Sequence, residues 1–179
     1  MIYLFLADGF EEIEALTTLD ILRRAGCTVQ TVGIGGEVIT GTHGVKVLAD
    51  LKSSEVVTND LEAVVLPGGM PGAKNLEHSS TVRECVLYCA EKKLPIAAIC
   101  AAPYVLGKWG LLQGKRAVCY PGFEAQLEGA VLAQESVCVD GNIVTGKGAG
   151  VALAFALALT GLLRSEKTVN EICESIQCQ

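Results

Sequence analysis

Three short segments of this chain carry residue types that can do chemistry. The first is Pro95-Ile96-Ala97-Ala98-Ile99-Cys100-Ala101-Ala102-Pro103, in which an apolar run reads as a buried strand and the residues after the cysteine read as a helix. Small residues on both sides of Cys100 permit a sharp strand-to-helix turn, the kind that exposes a nucleophile in α/β enzymes. A helix start at that point predicts a thiol pKa lowered by the dipole and by unpaired N–H groups. Taken alone, the segment fits a buried, inert cysteine equally well. The second segment is Gly68-Gly69, after the apolar run Ala63 to Leu66. A glycine pair there lets backbone N–H groups face a ligand, as an oxyanion requires, although a tight turn would use the same residues. No Gly-x-x-x-x-Gly-Lys pattern follows, so it is not a phosphate loop. The third segment holds Glu11, Glu12 and Glu14 at the start of a predicted helix. Glu11 and Glu14 share one face and could place a carboxyl group beside Cys100. Local sequence is explained better by favourable dipole placement on a solvated first turn. His43 and His78, the only histidines, lie in a turn and at a helix start, which makes a Cys–His pair hard to build.

These segments need elements to position them. Ile2 to Leu6, Thr28 to Ile34, Ala63 to Leu66 and Ile96 to Ile99 are apolar runs without alternation, as expected of strands covered on both faces. Val38-Ile39 and Val45 to Leu48 read as a hairpin; Ala117-Val118, Val137 to Val139 and Ile143-Val144 read as later strands. Helices are predicted over Glu11 to Ala25, Ser80 to Lys92, Ala101 to Trp109, Ala149 to Leu163 and Glu166 to Ile176. In the first, Ile13, Leu16, Leu19 (or Thr17) and Ile21 form the inward stripe, with Asp8 as a candidate cap; in the second, Val82, Val86 and Leu87 point inward. The alternation of strand and helix predicts one α/β domain over residues 1–179, with a mostly parallel sheet and helices on both faces. Function in such sheets gathers beyond the carboxyl ends of the strands, where all three segments fall.

Composition narrows the function classes. The chain has 179 residues, half of them hydrophobic, enough for a core without staples. Its 20 acidic against 14 basic residues and the lack of a basic stripe argue against nucleic acid and anionic membrane as partners. The segment Met1 to Asp8 has no basic leader, and Val151 to Leu163 is too short to span a bilayer, so the expected location is cytoplasmic. Eight cysteines in such a chain are expected to be reduced and mostly buried. Cys85 and Cys89 are one helical turn apart, but no histidine stands at zinc-ligand spacing, so no metal is expected.

The segments Ala7-Asp8-Gly9-Phe10-Glu11-Glu12-Ile13-Glu14, Leu66-Pro67-Gly68-Gly69-Met70-Pro71-Gly72-Ala73 and Ala97 to Pro103 together resemble the ThiJ/PfpI superfamily, most closely its Parkinson-disease-protein (deglycase-like) branch. Gly146-Lys147-Gly148-Ala149-Gly150, ahead of an alanine-rich helix, extends the likeness over nearly the whole chain. The resemblance implies a single-domain flavodoxin-like sandwich, a homodimer and no cofactor. It casts Cys100 as nucleophile, Glu14 as a protonated carboxyl group hydrogen-bonded to the thiolate, and Gly69 and Ala101 as amide donors to an oxyanion. Gly68, Cys119 and Tyr120 fall at the pocket, Tyr120 where some relatives carry a histidine. His43 falls where many relatives carry an arginine near the dimer interface. The implied activity is glyoxalase-type or deglycase-type conversion of small carbonyls such as methylglyoxal. The alternative is an oxidative-stress sensor or protective, chaperone-like protein acting through Cys100 oxidation. An amidase or peptidase ranks third, because Ala101 replaces the histidine of the protease-like branch.

Overall fold

The structure, a computed structural model, describes residues 1–178. Strand β1 (Ile2–Ala7) leads through helix α1 (Glu12–Arg24) to β2 (Val29–Ile34). A short antiparallel hairpin, β3 (Val38–Thr40) with β4 (Lys46–Leu48), precedes the two-residue β5 (Leu51–Lys52). Then come β6 (Ala63–Leu66), α2 (Gly72–Glu77), α3 (Ser80–Lys92), β7 (Ile96–Ile99) and α4 (Pro103–Lys108). The short strands β8 (Arg116–Ala117) and β9 (Val131–Leu132) pair with each other; β10 (Val137–Asp140), β11 (Ile143–Gly146), α5 (Ala152–Leu163) and α6 (Glu166–Ser175) complete the fold.

The main sheet has the order β10-β11-β7-β6-β1-β2-β5 and is parallel except for the β10–β11 pair. Every residue of β1, β6 and β7 is buried, which is why their sequences are unbroken apolar runs. Alternate residues feed two cores. Tyr3, Phe5 and Ala7 pack with Leu76, Val86 and Val105 from α2, α3 and α4. Ile2, Leu4 and Leu6 pack with Leu22, Phe155 and Ile172 from α1, α5 and α6. The sheet is therefore the middle layer of a flavodoxin-like sandwich. From β1 the chain first adds β2 on one side, then returns to place β6 on the other. That reversal opens a crevice at the carboxyl ends of β1, β6 and β7, the usual ligand position in an open α/β sheet.

Several sequence expectations need correction. Ile13 is 54% exposed, whereas Ile21 is buried as expected and α1 also buries Glu12, Glu14, Ala15, Thr18 and Leu22. The first turn is rotated because the carboxyl group of Glu14 points into the protein. Leu87 is 39% exposed, while Cys85 and Cys89 join Val82 and Val86 on the inner face of α3. Asp8 does not cap α1; Glu11 holds the cap position, and Asp8 Oδ1 accepts the Thr40 N–H at 2.8 Å. The helix after Cys100 starts at Pro103 rather than Ala101, and a short 3₁₀ turn over Ala149–Val151 precedes α5. Helix α2 and strands β5 and β9 are additional short elements.

Candidate active site

Three strand ends build the site, each with a local reason for its shape. After β7 the backbone of Cys100 takes φ = 64°, a left-handed conformation that is costly for a residue with a side chain. Two hydrogen bonds hold it there: its N–H donates to the Gly146 carbonyl at 2.9 Å, and its carbonyl accepts the Tyr120 N–H at 2.7 Å. The turn lifts the half-buried thiol out of the sheet, in the manner of a nucleophile elbow.

After β6, Gly68 and Gly69 let the backbone approach closely. A Cβ at Gly68 would lie 2.5 Å from the Cys100 Cβ and 2.7 Å from Glu14 Oε2, and Gly69 has φ = 84°. The Glu11 N–H donates to the Gly68 carbonyl at 3.0 Å and ties this loop to the start of α1. The N–H groups of Gly69 and Ala101 face the Cys100 sulfur and favour its thiolate.

From α1, Glu14 reaches the same point. It is 1% exposed, and its Oε2 accepts the Gly68 N–H at 2.7 Å. Its Oε1 is buried with no conventional hydrogen-bond partner among the described residues, and the Cys100 thiol lies beside the carboxyl group. Burial pushes the Glu14 carboxyl up to about 7, against the opposing hydrogen bonds from Gly68 and Cys100. Burial and the Glu14 charge push the Cys100 thiol up to about 12, while the Gly69 and Ala101 amides pull it down. The two groups therefore titrate as a pair, giving up a first proton near neutrality and a second only at high pH. The thiol is raised rather than lowered: burial and the Glu14 charge outweigh the two backbone amides that do lower it. Any thiolate at neutral pH exists because Glu14 holds the proton and two amides receive the sulfur's charge.

The remaining expected site residues are placed as follows. Tyr120 is half exposed, its ring over Gly148, and its backbone meets Cys100 through the bond already given. Cys119 is buried, with its thiol pushed up to about 11 by burial, and it lines a cavity of about 160 Å³ beside Lys147. His43 does not join the site. It is exposed, and its Nδ1 lies 2.9 Å from Glu12 Oε2. His78 pairs its Nδ1 with the Lys74 carbonyl at 2.6 Å. Two supporting groups escaped the sequence reading: the Gly146 carbonyl, and the Thr145 hydroxyl that accepts the Val118 N–H at 3.0 Å to position the Tyr120 segment. A glycine and a threonine at a strand end give no local signal of such roles.

Fold and site together define a flavodoxin-like α/β protein with an elbow cysteine backed by a buried carboxyl group. The chain belongs to the DJ-1/PfpI family, whose model matches residues 1–161. It is 38% identical over 168 residues to Protein DJ-1 homolog B of Arabidopsis thaliana; the match covers 92% of this chain but 38% of that longer protein. It is 32% identical to Deglycase PYRAB04690 of Pyrococcus abyssi, covering 88% of this chain and 96% of the relative. Among solved structures, oxidized Toxoplasma gondii DJ-1 superposes with a TM-score of 0.93 at 36% identity, covering 98% of this chain and 97% of that one.

Proposed function

We propose that the chain converts small reactive carbonyls, methylglyoxal among them, to 2-hydroxy acids through Cys100, without a cofactor. The observation that carries this reading is the buried Glu14 carboxyl group beside the Cys100 thiol, with two amides aimed at the sulfur. The sulfur adds to the aldehyde carbon, and the new oxygen receives the proton that Glu14 holds, giving a hemithioacetal. The Gly69 and Ala101 amides support the developing oxyanion. Glu14, now ionised, takes the hydrogen from that carbon and returns it to the neighbouring carbon, while the hemithioacetal hydroxyl proton passes to the neighbouring oxygen. The product is a 2-hydroxyacyl thioester, which water hydrolyses to the acid and the free thiol. The Pyrococcus relative's deglycase name supports carbonyl chemistry of this class. The test is lactate formation from methylglyoxal by wild type, Cys100→Ser and Glu14→Gln. Activity in the serine variant equal to wild type would sink the mechanism.

A second reading uses the same residues. A half-exposed thiol beside a carboxyl group able to donate a proton can stop at sulfinate, a stable step on the oxidation ladder. The oxidized state named for the Toxoplasma neighbour favours this alternative for that protein. Intact mass after mild peroxide distinguishes the two: two oxygens on Cys100 ahead of the other cysteines, with no turnover, selects the sensor.

We also propose that the working form is a homodimer in the cytoplasm, where eight free thiols stay reduced. Ile13, Val38, Val45 and Leu48 are 46–70% exposed on α1 and the β3–β4 hairpin, an apolar face suited to a second copy. A monomeric sedimentation profile at micromolar concentration would remove the dimer. No helix among the described residues is long and apolar enough to cross a membrane.

A further inference from the structure

Helix α6 ends in a turn that brings two cysteines together. Its last helical residues are Cys173, Glu174 and Ser175, its cap is Ile176, and Gln177 follows with φ = 58°. The Cys178 N–H donates to the Cys173 carbonyl at 2.9 Å, and the Gln177 N–H donates to the Glu174 carbonyl at 3.2 Å. This is a Schellman motif, the closure in which a side-chain contact frequently accompanies the outer hydrogen bond between these two positions. Here both of those residues are cysteines. One hydrogen bond links their backbones, so their Cα atoms can be no farther apart than about 6.8 Å, within the range that a disulfide spans. The two thiols do interact: partial burial and the neighbouring Cys178 thiol raise the Cys173 thiol above its ordinary range. Both are free and partly exposed, whereas Cys27, Cys85, Cys89, Cys119 and Cys138 are buried.

We propose that Cys173 and Cys178 form a redox pair that closes reversibly to an intramolecular disulfide, held in register by the left-handed turn at Gln177. With a hydroperoxide as oxidant, one thiolate attacks the O–O bond and becomes a sulfenic acid, releasing water or an alcohol. The second thiol attacks that sulfur and expels water, so two thiols lose two electrons and two protons to the peroxide. With a small disulfide such as oxidised glutathione, two exchange steps give the same bond and two molecules of reduced thiol. A dithiol reductant reopens it. Cys100 takes no part in the ring closure, so whether the pair closes tests neither reading of that site.

The experiment uses the intact chain, equimolar hydrogen peroxide and, separately, oxidised glutathione. Free thiols are blocked with iodoacetamide, and the unreduced tryptic peptides are weighed. The peptide that begins at Thr168 contains both cysteines and is expected to lose two hydrogens and carry no alkyl group. Dithiothreitol before blocking restores two alkylation sites. Cys178→Ser leaves Cys173 unable to close the ring. Gln177→Val, a β-branched residue at a positive-φ position, is expected to slow closure about tenfold, while Gln177→Gly leaves it as fast or faster. The peptide holding Cys85 and Cys89 serves as a buried control. The proposal is overturned if the Thr168 peptide keeps two independently alkylated thiols after both oxidants. It is equally overturned if Gln177→Val closes as fast as wild type.

Discussion

Glu12 and Glu14 stand two residues apart in the first turn of α1, both largely withdrawn from solvent, yet their environments push the two carboxyl groups in opposite directions. Glu12 meets donors on several sides. Its oxygens accept the His43 N–H at 2.7 Å and the Thr42 hydroxyl at 3.1 Å, and one pairs with His43 Nδ1 at 2.9 Å. Burial raises its carboxyl, but those bonds outweigh burial and hold it near about 2. Glu14 receives one backbone N–H and faces a thiol, so burial wins and the group sits near about 7. A carboxylate with a full set of donors is a structural anchor, here for the β3–β4 turn. One that is buried and under-supplied is a proton reservoir.

Glutamine substitution separates the two roles most sharply. In Glu14→Gln, catalysis of lactate formation is expected to fall by roughly 10²–10⁴-fold, the usual worth of a placed acid–base group. Glu12→Gln, tested in the same assay, is expected to keep most of the rate. Equal losses in both variants would mean that the first turn of α1 acts through its fold and not through a proton at Glu14.

Glycine at 68 is what lets Glu14 and Cys100 meet. Gly68→Ala puts a methyl group 2.5 Å from the Cys100 Cβ, between two packed strand ends. Overpacking of this kind costs about 1–3 kcal/mol, with more where the backbone cannot shift. Urea denaturation should show the loss, together with altered alkylation of Cys100. An alanine variant of wild-type stability would contradict the close approach.

Much of this was readable from the residues alone. The apolar runs Ile2 to Leu6, Ala63 to Leu66 and Ile96 to Ile99 announce doubly covered parallel strands, and small residues around Cys100 announce the elbow. The orientation of α1 was not readable, because a hydrophobicity stripe assigns Ile13 inward and charge outward. The first turn does the reverse, with Ile13 out and Glu14 in, while Ile21 keeps its inward place. Nor did the local sequence carry the sign of the Cys100 shift. It depends first on burial and then on the charge of a carboxyl group 86 positions away. The short elements α2, β5 and β9 carry too few residues to show a period.

Stability against pH sharpens the comparison further. Unfolded, Glu14 ionises near 4.5; folded, near about 7. Between those values the native state keeps a proton that the unfolded chain has released, so stability falls as pH rises across the window. The fall amounts to about 3 kcal/mol at most. Urea unfolding from pH 4.5 to 8 should show this slope in wild type and lose it in Glu14→Gln. Glu12 behaves oppositely: its contribution is present above pH 4.5 and is lost as pH falls toward about 2. Glu12→Gln is expected to cost about 1–2 kcal/mol at neutral pH, with the difference from wild type shrinking in acid. Parallel profiles for wild type and both variants would refute the division.

The smallest effect lies on the exposed side of the anchor. The hydrogen bond with Glu12 comes first, then the charges of Glu11 and Glu12, and together they raise the His43 imidazole above its ordinary 6.5. A histidine raised in this way helps the fold below the unfolded value, and the help is lost as pH rises through the folded one. The ring is 71% exposed, so solvent screens the pair and little stability rides on it. NMR titration of the imidazole protons reads the coupling directly. Wild type should titrate above 6.5, and Glu12→Gln should bring His43 back toward it, while Glu14→Gln leaves it in place. A His43 titration that moves with Glu14 instead would mean that the anchor and the proton reservoir are one coupled cluster, and the contrast drawn between them would fail.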